Sequence, residues 1–132
     1  MATAPVYYVT PVVTSAQISA ANTNLDGTGT TVEVASGTGS GSTPRKVDRI
    51  RAKAIATSAA GNIRFFYSPD NGTTKRLIGE LAVTAITVAA GTNSWEGTLY
   101  LEGLALVDSN SKIYASTHVA ATFNITAEMF GQ

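Results

Sequence analysis

The clearest pattern along this chain is a period-two alternation of apolar and polar positions. In VDRIRAKAIA (Val47–Ala56), Ile50, Ala52, Ala54 and Ala56 share one face, and Arg49, Arg51 and Lys53 share the other. Successive side chains of a strand point to opposite sides of its sheet, so this alternation predicts a strand buried on one face. NIRFFYS repeats it, with Ile63, Phe65 and Tyr67 alternating against Arg64 and Phe66. The turn Ser58-Ala59-Ala60-Gly61 between the two predicts a hairpin. Ala56 would then face Ile63, Ala54 would face Phe65 and Ala52 would face Tyr67, small against large. Asp70-Asn71-Gly72 predicts the next tight turn, because Asn-Gly readily takes positive φ. Lys75 to Ile86 completes a three-stranded meander, with Leu77, Leu81 and Val83 on one face.

The same reading extends outward. Glu96 to Glu102 sets Gly97, Leu99 and Leu101 against Glu96, Thr98, Tyr100 and Glu102. Leu104 to Val107 precedes a turn at Asp108-Ser109-Asn110-Ser111. Lys112 to Val119 and Thr122 to Met129 form a last pair, with Phe123, Ile125, Ala127 and Met129 sharing a face. Upstream, Ile18 to Leu25 leads through Asp26-Gly27-Thr28-Gly29 into a short strand, Thr30 to Ala35. No segment sustains a helical period. Eight or so short strands separated by Gly, Asn and Ser turns predict an all-β fold, a single-domain antiparallel β-sandwich that is jelly-roll-like.

Two segments stand apart. Residues 1–16 carry Pro5 and Pro11, which remove backbone donors and suit an edge strand or an extended arm. Its apolar residues, Tyr7, Tyr8, Val9, Val12 and Val13, need cover from their own sandwich or from a neighbouring subunit. The domain boundaries expected are therefore an N-terminal arm over 1–16 and a sandwich over 17–132. Ser36 to Pro44 (SGTGSGSTP) reads as a flexible loop by composition. Its Gly37, Gly39 and Gly41 lack the spacing and the following helix of a phosphate-binding loop.

Composition narrows the chemistry. The chain has 132 residues, no cysteine and one histidine, so thiolate sites and disulfides are excluded. Charged residues make up 14%, against about 25% in typical soluble domains, and the net charge is zero. A lightly charged, neutral surface suits a chain covered by other subunits. Eight of the nine basic residues lie between Arg45 and Arg76, with only Asp48 and Asp70 against them, while residues 77–132 carry Glu80, Glu96, Glu102, Asp108 and Glu128 against Lys112 alone. Nucleic-acid binding, which favours a basic surplus, is not expected. Complementary contacts between copies or with a partner are. No basic leader precedes the apolar start and no run approaches the length of a membrane span, so neither a targeting segment nor a membrane partner is expected.

Catalytic residues are scarce. His118 is the lone imidazole and reads as a surface or interface residue near a hairpin turn. Asp26 and Asp70 sit in Gly-containing turns, where Asp bonds its own backbone, and that use outweighs metal ligation. No enzyme activity, metal or cofactor is expected. The sharpest feature is the basic ladder Arg49, Arg51 and Lys53, extended by Arg64 if the hairpin forms. Phe66 and Ile55 would share that face, and Arg beside aromatics suits a protein interface as much as a solvated face. Trp95, Tyr100 and Tyr114 are the residues that could form a sugar-stacking platform.

Several segments resemble one family. ISAANTNLDGTGT (Ile18–Thr30), VDRIRAKAIATSAAGNIRFFY (Val47–Tyr67), KRLIGE (Lys75–Glu80) and ASTHVAATFNITAE (Ala115–Glu128) are similar to small structural proteins of tailed bacteriophages. The resemblance covers roughly Ile18 to Glu128; the leading arm and the SGTGSGSTP loop match nothing in it. It implies a capsid decoration, or cement, protein: a jelly roll on the outer shell of the virion, made in the host cytoplasm. Such proteins are often homotrimers that bind the major capsid protein and clamp neighbouring capsomers. Tail, neck or head-fibre components share this resemblance, and a carbohydrate-binding β-sandwich module is the alternative outside it. The partner-binding residues expected are Tyr7, Tyr8, Val9, Val12, Val13, Arg49, Arg51, Lys53, Arg64 and Phe66.

Overall fold

The alternation around Ile50 folds as expected into a central strand. In a computed structural model of the chain, which describes residues 10–39 and 44–131, eight strands form two antiparallel four-stranded sheets. They are β1 (Thr10–Ile18), β2 (Val32–Ser36), β3 (Arg45–Ala54), β4 (Gly61–Ser68), β5 (Arg76–Val83), β6 (Glu96–Leu106), β7 (Lys112–Thr117) and β8 (Phe123–Gly131). One sheet runs β1-β8-β3-β6 and the other β2-β7-β4-β5. This strand order, with successive strands in opposite sheets except for the β4–β5 pair, is that of a jelly roll.

The core is filled from both inner faces. Val47, Ile50, Ala52 and Ala54 of β3 and Phe123, Ile125, Ala127 and Met129 of β8 meet Ile63 and Phe65 of β4 and Ile113 and Ala115 of β7. Trp95, just before β6, is buried edge-on against Phe123, with centroids 5.7 Å apart and planes at 85°. That geometry suits the ring quadrupoles.

The predicted hairpin between β3 and β4 does not form. β3 pairs with β6 and β8, and β4 pairs with β5 and β7, so the 55–60 connection crosses from one sheet to the other. Ser58 anchors this crossing by exchanging backbone bonds with Ile86 at 3.0 and 3.1 Å. Period-two alternation tells which face of a strand is buried, not which strand lies beside it. Both inner faces meet one core, so an arch between sheets and a hairpin within one sheet read identically. Ala56, expected inside, lies beyond the end of β3 and is exposed.

The hairpin from β4 to β5 does form, closed by Asn71 and Gly72 at φ of 59° and 90°. A register shift between Phe65 and Phe66 leaves Ile78 without a partner in β4. Leu81 and Val83 still reach the core, but Leu77 is exposed. Residues 10–16, expected in the arm, belong to β1 and pair with β8 residue for residue from Thr10 to Ile18. Val12 packs on the core while Val13 points outward. The sheet thus begins by Thr10, not after residue 16. Met1–Val9, with Tyr7, Tyr8 and Val9, lie outside the described residues. The Ile18 to Leu25 stretch leaves the sheet after Ile18.

Candidate functional site: the two outer faces

The outward residues of β1-β8-β3-β6 fall into rows set by the register. Gln17, Asn124, Lys53 and Glu96 make one row, and Ser15, Thr126, Arg51 and Thr98 the next. Val13, Glu128, Arg49 and Tyr100 make the third. Beyond it the alternation of β3 slips by a residue at Asp48, and Pro11 and Phe130 lie opposite each other. Three cations face two carboxylates on this patch.

Glu128 organises the ladder. It accepts from Arg49 Nε with one carboxylate oxygen, and its other oxygen lies 3.0 Å from Arg51 Nε. The hydrogen bond to Glu128 raises the Arg49 pKa above its ordinary value. Lys53 Nζ donates to the Ser94 carbonyl at 3.0 Å. The ladder is therefore real as a row of outward cations, but two of its members share one counter-ion.

Arg51 bends toward the third row, so the second row stands low. Its other side chains, Ser15, Thr126 and Thr98, are short, while the first row is long. The result is an open trough across the strands. Its larger part, about 620 Å³, is bounded by Lys53, Glu96, Thr98, Tyr100, Asn124 and Thr126, with Arg49 and Arg51 at its edge. It continues across β8 to β1, where Asn124 and Thr126 meet Ser15 and Gln17. Gln17 Nε2 donates to Asn124 Oδ1 at 3.0 Å, fixing two amides at the rim.

Arg64 and Phe66 are not part of this face. They point outward from β4 in the opposite sheet, and both are nonetheless buried, at 8% and 0% exposure. The ANTNLDGTGT segment is folded over that sheet. Asn22 N donates to the Thr117 carbonyl at 2.8 Å, and the Asn22 carbonyl lies 3.5 Å from Arg64 Nη1. Arg64 Nε donates to Glu80 Oε1 at 3.0 Å, so the guanidinium ties β4, β5 and the segment together. Asn22 also holds the segment's shape, donating to the carbonyls of Thr28 and Thr30 and accepting from Asn24 N. Gly29, at φ 81°, packs so close that a Cβ would sit 2.9 Å from Asn22 Nδ2. Lys75 closes the far side, with Nζ 4.7 Å from the Tyr114 ring centroid and 2.9 Å from Thr31 Oγ1.

The three aromatics read as a sugar platform are dispersed. Trp95 is in the core, Tyr114 lies under Lys75 on the covered face, and only Tyr100, 64% exposed, belongs to the open face. Strand alternation could place each ring inside or outside, but not on which sheet. Asp26 and Asp70 are turn residues as expected. Thr28 N donates to Asp26 and Thr74 N to Asp70, at 3.0 and 2.7 Å, and these bonds, with those from nearby hydroxyls, lower both carboxyl pKa values. His118 is half-buried, bonded through its backbone to Asn62, and its Nδ1 has no partner among the described residues. No group of three or more His, Asp or Glu that could hold a metal occurs among the described residues.

Sequence reasoning missed Gln17, Asn124, Thr126 and Thr98 as neighbours of the ladder. Each is outward by alternation, but only register puts them in adjoining rows. No protein-family model matches the chain, and no curated protein matches it significantly in sequence.

Proposed function

We propose that this chain is a virion structural protein that decorates an assembled phage shell and stabilises contacts between neighbouring major capsid proteins. The observation that carries this reading is the apolar corner of the open sheet. Val13 is 64% exposed and Phe130 39%, with Pro11 beside Phe130, at the end where residues 1–9 join β1. Those nine residues carry no charge and include Tyr7, Tyr8 and Val9. An exposed apolar patch is suited to another protein's surface. The sequence resemblance points the same way, and its motifs fall on structural elements: the covering segment, β3, β5 and β7–β8.

The mechanism is linkage. A protein that binds the assembled shell but not its separated subunits stabilises the shell by mass action, without any reaction. A trimer would place several corners on adjoining capsomers at once, and linked contacts gain through effective concentration.

The test is the copy number of this chain in purified particles, relative to the major shell protein. A ratio near one supports decoration. A handful of copies moves the chain to the tail or neck, and absence refutes a virion role. Deleting residues 1–9, and no further because Thr10 begins β1, is expected to leave thermal unfolding unchanged while emptying the particles of the chain.

A further inference from the structure

The trough across β1-β8-β3-β6 has chemistry that neither the shell reading nor the fold consumes. We infer that it is a binding site for an acidic oligosaccharide, lying across the four strands with a carboxylate against Arg51. This stands independently of the shell reading, since it uses the polar rows and not the apolar corner.

Three observations carry it. The first is a lining in which several polar groups have no internal use. The hydroxyls of Ser15, Thr98 and Thr126 make no hydrogen bond to another described residue, nor do the Glu96 carboxylate and the Tyr100 hydroxyl. Floor and rim thus offer hydroxyl, amide and carboxylate groups to a ligand dense in hydroxyls. At a strand spacing of about 4.8 Å, the four strands place this lining along about 14 Å, room for a chain of a few sugar rings.

The second is charge. Arg51 is exposed and contacts Glu128 only through Nε. The rest of its planar fork is open to a carboxylate, which guanidinium binds in bidentate fashion. Lys53 lies in the next row, and the lining of the trough itself carries Arg49, Arg51 and Lys53 against Glu96 alone. An anionic ligand is favoured over a neutral one.

The third is what the trough withholds from a peptide. β3 and β8 are paired along both edges, so an extended chain finds no backbone ladder to join. The residues that line the trough include no large aliphatic side chain to anchor a partner's. The exposed face of Tyr100 at one end instead suits stacking on a sugar ring.

The experiment is an amide chemical-shift titration of the full-length chain with three probes: tetragalacturonate, neutral cellotetraose and a poly-glutamate peptide. Saturable shifts with tetragalacturonate, centred on Ser15, Thr98, Asn124 and Thr126, are expected, with cellotetraose at least tenfold weaker. Arg51→Gln should reduce that preference, and Thr126→Gln, which fills the floor with a longer polar side chain, should abolish binding. A folded spectrum for each variant separates lost binding from lost structure. No saturable shift with either sugar up to 10-fold the concentration that saturates a surface contact, shifts centred elsewhere, or full binding by Thr126→Gln overturns the proposal. Poly-glutamate binding at the same residues as tightly as the sugar overturns it in favour of an acidic peptide. Particle copy number is unaffected by any of these results, so the two readings fail separately.

Discussion

The two sheets of this sandwich carry outward arginines that meet opposite fates. On β2-β7-β4-β5, Arg64 is roofed by the segment around Asn22, Phe66 beyond it is fully buried, and both act as structure. On β1-β8-β3-β6, Arg49 and Arg51 stand at the surface, neutralised in part by Glu128 but roofed by nothing among the described residues. Alternation marks both sets identically, as polar residues opposite a buried face. What separates them is a covering loop from a distant part of the chain. An outward arginine is a candidate for binding only after the loops have been placed.

The comparison can be broken most forcefully at Phe66. Phe66→Ala removes a fully buried ring and is expected to cost about 3 kcal/mol in denaturant unfolding, while Tyr100→Ala on the open face stays within about 0.5 kcal/mol. Equal losses would mean that the two faces are not differently covered. Next comes the pairing of charges. Arg64→Ala strands Glu80 and the Asn22 carbonyl, for a loss of about 2 kcal/mol. Glu128→Gln on the open face should cost less, and its effect should fade in high salt because exposed pairs are screened.

The smallest effect sharpens the comparison at the turns that frame the covered sheet. Asp26 and Asp70 have pKa values lowered from 3.8 by hydrogen bonds from Thr28 and Thr74. A lowered folded pKa means the carboxylate stabilises the fold above its ordinary value, and that contribution is lost as pH falls through the lowered one. Acidification below about pH 4 should therefore lower the protection of the Thr74 amide, relative to its intrinsic exchange rate, before that of the β3 amides. Asp70→Asn should remove the pH dependence at Thr74. Persistence of that dependence would assign it to another group.

Much of this architecture is legible residue by residue. Ile50, Ala52 and Ala54, and Phe123 through Met129, show their burial by spacing alone, and Asn71-Gly72 shows its turn by backbone preference. Pairing is not legible in the same way. Ala54 and Ile63 both face the core, and nothing local says whether they lie side by side in one sheet or opposite one another in two. The trough is a further step removed. It exists because Ser15, Thr126 and Thr98, from three strands more than 80 residues apart at the extremes, fall into one row with short side chains. The roof over Arg64 depends on Asn22, whose role as a hub for three backbone partners has no periodic signature.

The bulge in β6 has a consequence for what its margin can recruit. Among the described residues β6 is the longest strand, and it lies at an open margin of its sheet, where unpaired backbone groups could recruit a second chain. Between Leu104 and Tyr100 its pairing with β3 breaks, and Glu102 and Gly103 take φ of 53° and 101°. An incoming strand could follow that margin for only a few residues before its partners turned away. Strand after strand cannot add along the whole of this margin, because its direction breaks at Glu102 and Gly103.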